Sequence, residues 1–235
     1  GVRRIASTLA DVSRSGVVLK EWDLSDIFRN YMLAHGDDPS TLVRPEVDWF
    51  HSNGAVYDPS DDTVIVSGRE TFLVKIAYQT GDIVWILGDP TKHWYTFPSL
   101  RAKAVTLRSG DLYPVGQNAP SITSDGLVMV FNDGAPSFNH AAGTAAGESR
   151  TYSTVSAYRV DAATLSGEEL RRFDYGQSIF SDICSSAYEG GNRSILVTYS
   201  VAAGRTRARL VGLNADQTVA FDFEYATNTC STRRA

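Results

Sequence analysis

Three polar residues stand close together in the first third of the chain, in types and at spacings that could bind an anion. His51 and Asn53 are two positions apart, so in an extended segment both side chains point to the same face. A short apolar strand is predicted at residues 64–66, and Arg69 lies just beyond it. Arginine offers a charged planar fork for a tetrahedral oxyanion, asparagine a neutral amide donor, and histidine a donor that can also shuttle a proton. Taken singly, each has an ordinary interpretation as a surface or turn residue, so the assignment depends on the wider pattern.

The pattern that carries these residues predicts β-structure throughout. Short segments rich in Val, Ile, Thr, Tyr and Phe recur between turn clusters, and helical spacing is limited to residues 24–33 and 162–172. A polar turn followed by an apolar strand occurs as DPSDDTVIVSGR, TSDGLVMVFNDG and EGGNRSILVTYS, each with a hairpin-like pair of strands downstream. SGVVLKEWDL resembles the last strand of a further unit. Repeated four-stranded sheets are typical of a β-propeller, so we predict an all-β fold with about three blades plus one strand of a fourth. A β-sandwich is the alternative.

Three blades and a fraction cannot close a ring, because known propellers have about four to eight blades. We therefore expect residues 1–235 to be the C-terminal portion of a single propeller domain, with upstream blades missing or supplied by another chain. The inner strands of a propeller line its central channel. His51, Asn53 and Arg69 could converge there.

Composition argues against several classes of partner. The chain has 235 residues and a net charge of −5, with Lys and Arg scattered rather than clustered, so neither nucleic acid nor a membrane is expected. The G-x-x-x-x-G-K-[ST] phosphate loop is absent, and we expect no cofactor and no metal. Cys184 and Cys230 lack zinc spacing. They are either two buried thiols or a single disulfide, which an oxidising compartment would permit.

The segment around the three polar residues resembles the bacterial aryl-sulfate sulfotransferases. That family's hallmark is a D-W-x-H-x-N element, a Y-D-P-x-D-D turn and a strand ending in S-x-R, and this chain has Asp48, Trp49, His51 and Asn53, then Tyr57 to Asp62, then Ser67 and Arg69. The resemblance implies a six-bladed propeller in the periplasm or outside the cell. It also implies transfer of a sulfuryl group from an aryl sulfate to a phenol by a ping-pong mechanism through a sulfated histidine. In such an enzyme His51, Asn53 and Arg69 bind the group and stabilise its charge.

One position departs from this family. Its sulfate-accepting histidine stands in a Q-H-A element, where this chain has Gln117, Asn118 and Ala119. An amide cannot attack sulfur usefully, yet it is close enough in size to leave the pocket intact. Asn118 is therefore either a deliberate substitution that traps a bound donor or product, or natural to an inactive or altered relative. We expect the protein to bind an aryl sulfate without turning it over.

The remaining candidates for the site have weaker support. His35, His93 and His140 are predicted in turns or loops, and a further catalytic histidine of the family would lie upstream of residue 1. Trp49, Trp85 and Trp94 are expected to be blade-packing residues rather than residues that stack on a phenol, whereas Tyr95 and Phe131 could line an aryl pocket.

Two other functions remain open. One is a quinone-dependent dehydrogenase propeller, because the T-G-D-I-V-W turn resembles the turns of those enzymes. The other is a non-catalytic propeller that serves as a binding module, which Asn118 would suit. The remaining blades, on the same or another chain, are the expected macromolecular partner, and a homo-oligomer is also open.

Overall fold

The computed structural model describes residues 7–227, and β-strands dominate this part of the chain. Its first two strands, β1 (Thr8–Val12) and β2 (Val18–Asp23), form an antiparallel hairpin, so two strands stand where the sequence predicted one. The helix α1 (Leu24–Ala34) follows, in agreement with the helical spacing of residues 24–33. Asp23 caps it by accepting hydrogen bonds from the backbone N–H groups of Ser25 and Asp26 at 2.8 and 3.2 Å.

Three larger sheets follow in chain order. The first blade has four antiparallel strands: β3 (Ser52–Asp58), β4 (Thr63–Gly68), β5 (Leu73–Ala77) and β6 (Ile83–Leu87). A short strand, β7 (Thr106–Leu107), then joins the outer edge of the second blade, which comprises β8 (Gln117–Ile122), β9 (Val128–Asn132), β10 (Thr154–Asp161) and β11 (Ser166–Phe173). The third blade comprises β12 (Ser186–Glu189), β13 (Ile195–Val201), β14 (Arg207–Leu213) and β15 (Val219–Ala226).

Short helical turns connect these strands in the described part of the chain. Two are single α-helical turns, α2 (Pro98–Arg101) and α3 (Ala202–Arg205). Four are 3-10 turns, at Pro39–Thr41, His93–Thr96, Tyr175–Gln177 and Gly191–Arg193. Within residues 7–227 no helix is both long and apolar enough to cross a membrane.

The three blades pack face to face in sequence. Strand β8 contacts β3 and β4 of the first blade, and β12 contacts β8 and β9 of the second. Trp85 and Tyr158 are buried between the first and second blades, and Phe131 and Tyr199 between the second and third. Both faces of the second blade are therefore apolar, and the first strands of all three blades lie side by side. This arrangement confirms the predicted all-β propeller class, whereas six blades and the single-domain boundary stay predictions.

The helical spacing of residues 162–172 is misleading, because most of this segment is strand β11. It pairs antiparallel with β10, with Tyr158 opposite Glu169 and Val160 opposite Gly167. Gly167 and Glu169 are buried at alternate positions of the strand. The partner strand satisfies its backbone hydrogen bonds, so tertiary pairing overrides the local spacing.

Candidate functional site

The structure brings four residues predicted from the sequence to one pocket. His51 directly precedes β3, Asn53 lies on β3, Arg69 follows the end of β4, and Asn118 lies on β8. They line an open pocket of about 470 Å³ whose remaining wall is Ala119, Ile183, Cys184, Ser185 and Ser186. The pocket is thus formed where the first strands of the three blades meet.

Close approach of β3 and β8 is made possible by a glycine. A Cβ atom on Gly54 would lie 2.6 Å from Cδ of Pro120, so a larger residue would push the strands apart. Irregular register marks both strands here, between Ser52 and Gly54 on β3 and between Asn118 and Ser121 on β8. Such irregularities re-aim side chains beside functional sites.

The side chain of Asn53 donates its hydrogen bonds to the protein, and one of them positions Asn118. Asn53 Nδ2 donates to the carbonyl of Gln117 at 2.8 Å and to Oδ1 of Asn118 at 2.6 Å. Asn118 Nδ2 in turn donates to the carbonyl of Gly116 at 2.8 Å. Both N–H groups of Asn53 are therefore engaged, which differs from the expectation that Asn53 itself donates to a bound oxyanion.

Arg69 is buried, and its guanidinium is held on two edges. Nε donates to Asp133 Oδ2 at 3.0 Å, and Nη1 donates to Glu70 Oε1 at 2.9 Å and to the carbonyl of Pro136 at 3.3 Å. Nη2 is buried and has no hydrogen-bond partner among the described residues. Because unpaired buried donors are costly, this atom is a ready contact for an anion in the pocket.

Burial shifts the pKa values of the charged groups next to Arg69. It raises the pKa of Asp133 to about 7, although the positive charge of Arg69 opposes the shift. It also lowers the pKa of Lys92 to about 8 against the attraction of Glu70. Burial pushes the pKa of Glu70 upward, but Arg69 and hydrogen bonds from the loop at 137–139 hold it below its ordinary value. Lys92 Nζ donates to the carbonyls of Arg69 and Glu70 at 3.3 and 3.2 Å, which supports the backbone under the site.

His51 forms a pair with Asp48 at the pocket edge. Its Nδ1 lies 2.5 Å from Asp48 Oδ2, and its side chain is 47% exposed. A positive φ of 53° turns the backbone at this position, and the His51 carbonyl accepts from the N–H of Arg69 at 3.2 Å. The carboxylate fixes the ring through Nδ1, so Nε2 is the atom available to a ligand.

Other sequence-based candidates lie elsewhere. Phe131 is fully buried between blades and Tyr95 packs against the core of the first blade, so neither lines this pocket. His93 hydrogen-bonds Thr41 at 2.9 Å, and His93 and His140 border a different, much smaller cavity. His35 directly follows α1 and lines neither cavity. Trp85 packs between the first and second blades, whereas Trp49 and Trp94 are buried in the core cluster that includes α1.

The wall formed by residues 183–186 was not found from the sequence. Cys184 is exposed and lines the pocket, so the prediction of two buried thiols is wrong for it, because the segment before β12 forms part of the pocket wall. Cys230 lies outside the described residues, and its pairing stays a prediction. No distinctive motif marks residues 183–186, and only packing of the third blade brings them here.

Face-to-face packing of the blades defines a β-propeller with a pocket lined by a buried arginine. The family model described as Arylsulfotransferase (ASST) matches residues 1–232, and the chain belongs to this family. It is 29% identical over 150 residues to "Arylsulfate sulfotransferase AssT" of Escherichia coli O6:H1, a match that covers 52% of this chain and 23% of that protein. A protein of the same name from Lelliottia amnigena is 29% identical over 121 residues, covering 40% and 20%.

The matched segments thus span less than a quarter of either curated relative. Among solved structures, "Structure of Dos1 propeller" covers 94% of this chain and 43% of that one, at 12% identity and a TM-score of 0.42.

Proposed function

We propose that the pocket binds the sulfate group of an aryl sulfate, and that the protein is a sulfotransferase of aryl sulfates whose sulfohistidine step is disabled by Asn118. The observation that carries this proposal is that Arg69 lines the pocket while its buried Nη2 has no hydrogen-bond partner among the described residues. A sulfate oxygen would complete its hydrogen bonding, and charge-assisted hydrogen bonds of this kind are the strong ones. Membership of the arylsulfotransferase family supports the same substrate class.

The donor set fits a tetrahedral monoanion. Arg69 Nη2 supplies a fixed charged donor, and His51 Nε2 can donate or accept a proton at the more exposed edge. Asn118 Nδ2 uses one N–H on Gly116 and keeps the second. Asn53 contributes by fixing Asn118. Transfer to a phenol would then require only a nucleophile and a second substrate.

The covalent step is the part that this chain lacks at position 118. In a ping-pong mechanism a histidine nitrogen forms a bond to sulfur while the bond from sulfur to the aryl oxygen breaks, and a phenol later takes the group. Neutral imidazole has a lone pair for this attack. The nitrogen lone pair of the Asn118 amide is delocalised into its carbonyl, so no sulfated intermediate forms there.

Binding without turnover is directly measurable. We expect para-nitrophenyl sulfate to bind the complete protein saturably by calorimetry, whereas nitrobenzene, which lacks the sulfate and carries no charge, binds at least about tenfold more weakly because it forms no charge-assisted bond with Arg69. No visible release of para-nitrophenolate is expected. Steady release by the unaltered protein would contradict the disabled step, and equal affinity for both ligands would contradict the sulfate site.

The affinity should depend on pH through the groups behind Arg69. A bound anion favours the protonated form of Asp133, whose pKa is about 7, and the protonated form of Lys92, whose pKa is about 8. Binding therefore takes up protons, and affinity is expected to rise about fivefold as the pH falls from about 9 to about 6. Aryl sulfates keep their charge over this range.

Calorimetry at several pH values checks this expectation. Asp133→Asn should lessen the dependence without removing it, because Lys92 acts in the same direction. An affinity that falls or stays constant as the solution is acidified would be inconsistent with this account.

Exposed apolar faces support our proposal that further blades pack on this chain. One face of the third blade carries Tyr188, Leu196, Phe221 and Phe223, which are 42–63% exposed, whereas its other face is buried against the second blade. A propeller blade normally packs on both faces. We infer that remaining blades, from the same or another chain, cover this face. A periplasmic or secreted location and a phenolic acceptor are further parts of the proposal.

Asn118 also supports a second candidate, a propeller that binds aryl sulfates without any catalytic role. The disabled sulfotransferase should transfer the sulfuryl group once position 118 carries a nucleophile, whereas the binding propeller should not.

A further inference from the structure

An exposed aromatic ring lies directly on the guanidinium that lines the pocket. The ring centroid of Phe138 is 4.1 Å from Cζ of Arg69, and 57% of Phe138 is exposed. Phe138 therefore covers one face of the guanidinium. It is not one of the residues that line the pocket and reaches the site through Arg69.

The loop that carries this ring is anchored firmly for an exposed segment. Glu70 Oε2 accepts hydrogen bonds from Ser137 Oγ at 2.7 Å and from the N–H groups of Phe138 and Asn139 at 2.6 and 2.8 Å. Asn139 Nδ2 also donates to the carbonyl of Asp48 at 3.1 Å. One short loop thus contacts the pairs that hold both Arg69 and His51.

This anchoring places an apolar surface next to a charged one. An aryl sulfate has the same arrangement, because a single oxygen joins its ring to sulfur. Aromatic pairs interact at centroid separations of about 4.5–7 Å, and the Phe138 ring lies 4.1 Å from the guanidinium that the sulfate would contact. Glu70 thus fixes Phe138 over Arg69 while 57% of the residue stays exposed and available for a further contact.

We propose that Phe138 contacts the aryl ring of the bound sulfate ester and makes the site favour aryl over alkyl sulfates. The inference rests on the proposed function, since it requires the sulfate to lie on Arg69. Neither Phe131 nor Tyr95, the aromatic residues expected from the sequence, has access to this position.

The test compares two ligands that share a sulfate and differ in the aryl group. Calorimetry on the complete protein would measure para-nitrophenyl sulfate and methyl sulfate with the unaltered protein, Phe138→Ala and Phe138→Tyr. We expect Phe138→Ala to weaken the aryl ester about fivefold to tenfold, the range for loss of an aromatic pair and its buried area. Methyl sulfate should change less than about twofold, and Phe138→Tyr should retain affinity for both.

A matched control is Leu33→Ala on α1, since Leu33 is also 57% exposed and lies outside the pocket. It should leave both affinities unchanged. Equal weakening of both ligands by Phe138→Ala would show that the ring acts only through Arg69 and would overturn the inference. If the unaltered protein binds neither ester, the sulfate site itself fails, and the contact with Phe138 fails with it. Binding of methyl sulfate with no preference for the aryl ester would overturn the contact alone.

Discussion

Asn118→His is expected to turn the protein from a binder of aryl sulfates into one that releases para-nitrophenolate, at a rate at least about a thousandfold above the unaltered protein. Removing the nucleophile of a covalent mechanism costs up to about 10⁶ in kcat, so restoring it should have an effect of comparable size. The backbone of β8 already aims position 118 into the pocket. The sulfate would remain fixed on Arg69.

Hydrogen bonding favours the reactive tautomer in this variant. A histidine Nδ1–H can replace Asn118 Nδ2 as the donor to the carbonyl of Gly116, which leaves the lone pair on Nε2 facing the pocket. Asn53 loses its contact with Oδ1 of Asn118 but still donates to the carbonyl of Gln117. The ring therefore has a defined orientation without rearrangement of its neighbours.

The assay follows the visible absorbance of para-nitrophenolate with and without an added phenol, using the complete, folded protein. A burst equal to the amount of enzyme, followed by turnover only when phenol is present, is the expected ping-pong signature. Asn118→Gln is the matched control, because it alters the same position without adding a nucleophile. A folded histidine variant that binds the ester and releases nothing would favour the purely binding propeller.

Arg69→Lys is expected to weaken binding of para-nitrophenyl sulfate by about tenfold to a hundredfold. Lysine keeps the charge but cannot reach Asp133, Glu70 and a bound oxyanion at once, because its ammonium is a single point on a flexible stem. A hydrogen bond to a charged group contributes about 1.5–3 kcal/mol, which sets the size of the expected loss. Calorimetry on the purified variant measures it directly.

Two checks separate loss of the site from loss of the fold. Arg69 pairs with two buried carboxylates, and an unpaired buried charge is strongly destabilising, so thermal unfolding of each variant should accompany the calorimetry. Arg159→Lys on β10 provides the matched control, because Arg159 is exposed and lies outside the pocket. Unchanged affinity in a folded Arg69→Lys protein would contradict a sulfate site at Arg69.

Local sequence features were enough to place His51, Asn53 and Arg69 near each other. The expectation that His51 and Asn53 share one face of an extended segment does not hold, because His51 precedes β3 and has a φ of 53°. The turn after β3 returns the chain so that Arg69 lies beside them. The Q-N-A element then adds Asn118 through its likeness to a family motif. The hairpin of β3 and β4 depends on backbone sterics and short-range pairing, whereas Asn118 is 65 residues from Asn53 and reaches it only through packing of β8 on β3.

The contacts that decide what each pocket residue can do come from residues far away in the sequence. Asp133, which holds Arg69, is 64 residues away in sequence, and Phe138 and the wall at residues 183–186 come from later blades. None of these positions has a distinctive spacing, so only face-to-face packing of the blades brings them to the pocket. Pairing with β10 within the second blade explains why most of residues 162–172 form a strand despite helical spacing.

The amino-acid sequence by itself determined the all-β class, the family and the residue types available to bind an oxyanion, because side-chain chemistry and strand period are properties of short segments. Tertiary structure alone decided which atoms of those residues remain open. Asn53 is occupied by Gln117 and Asn118, whereas Nη2 of Arg69 is left without a partner among residues 7–227. That difference arises because hydrogen bonds to the second blade engage both N–H groups of Asn53 but only part of the Arg69 guanidinium.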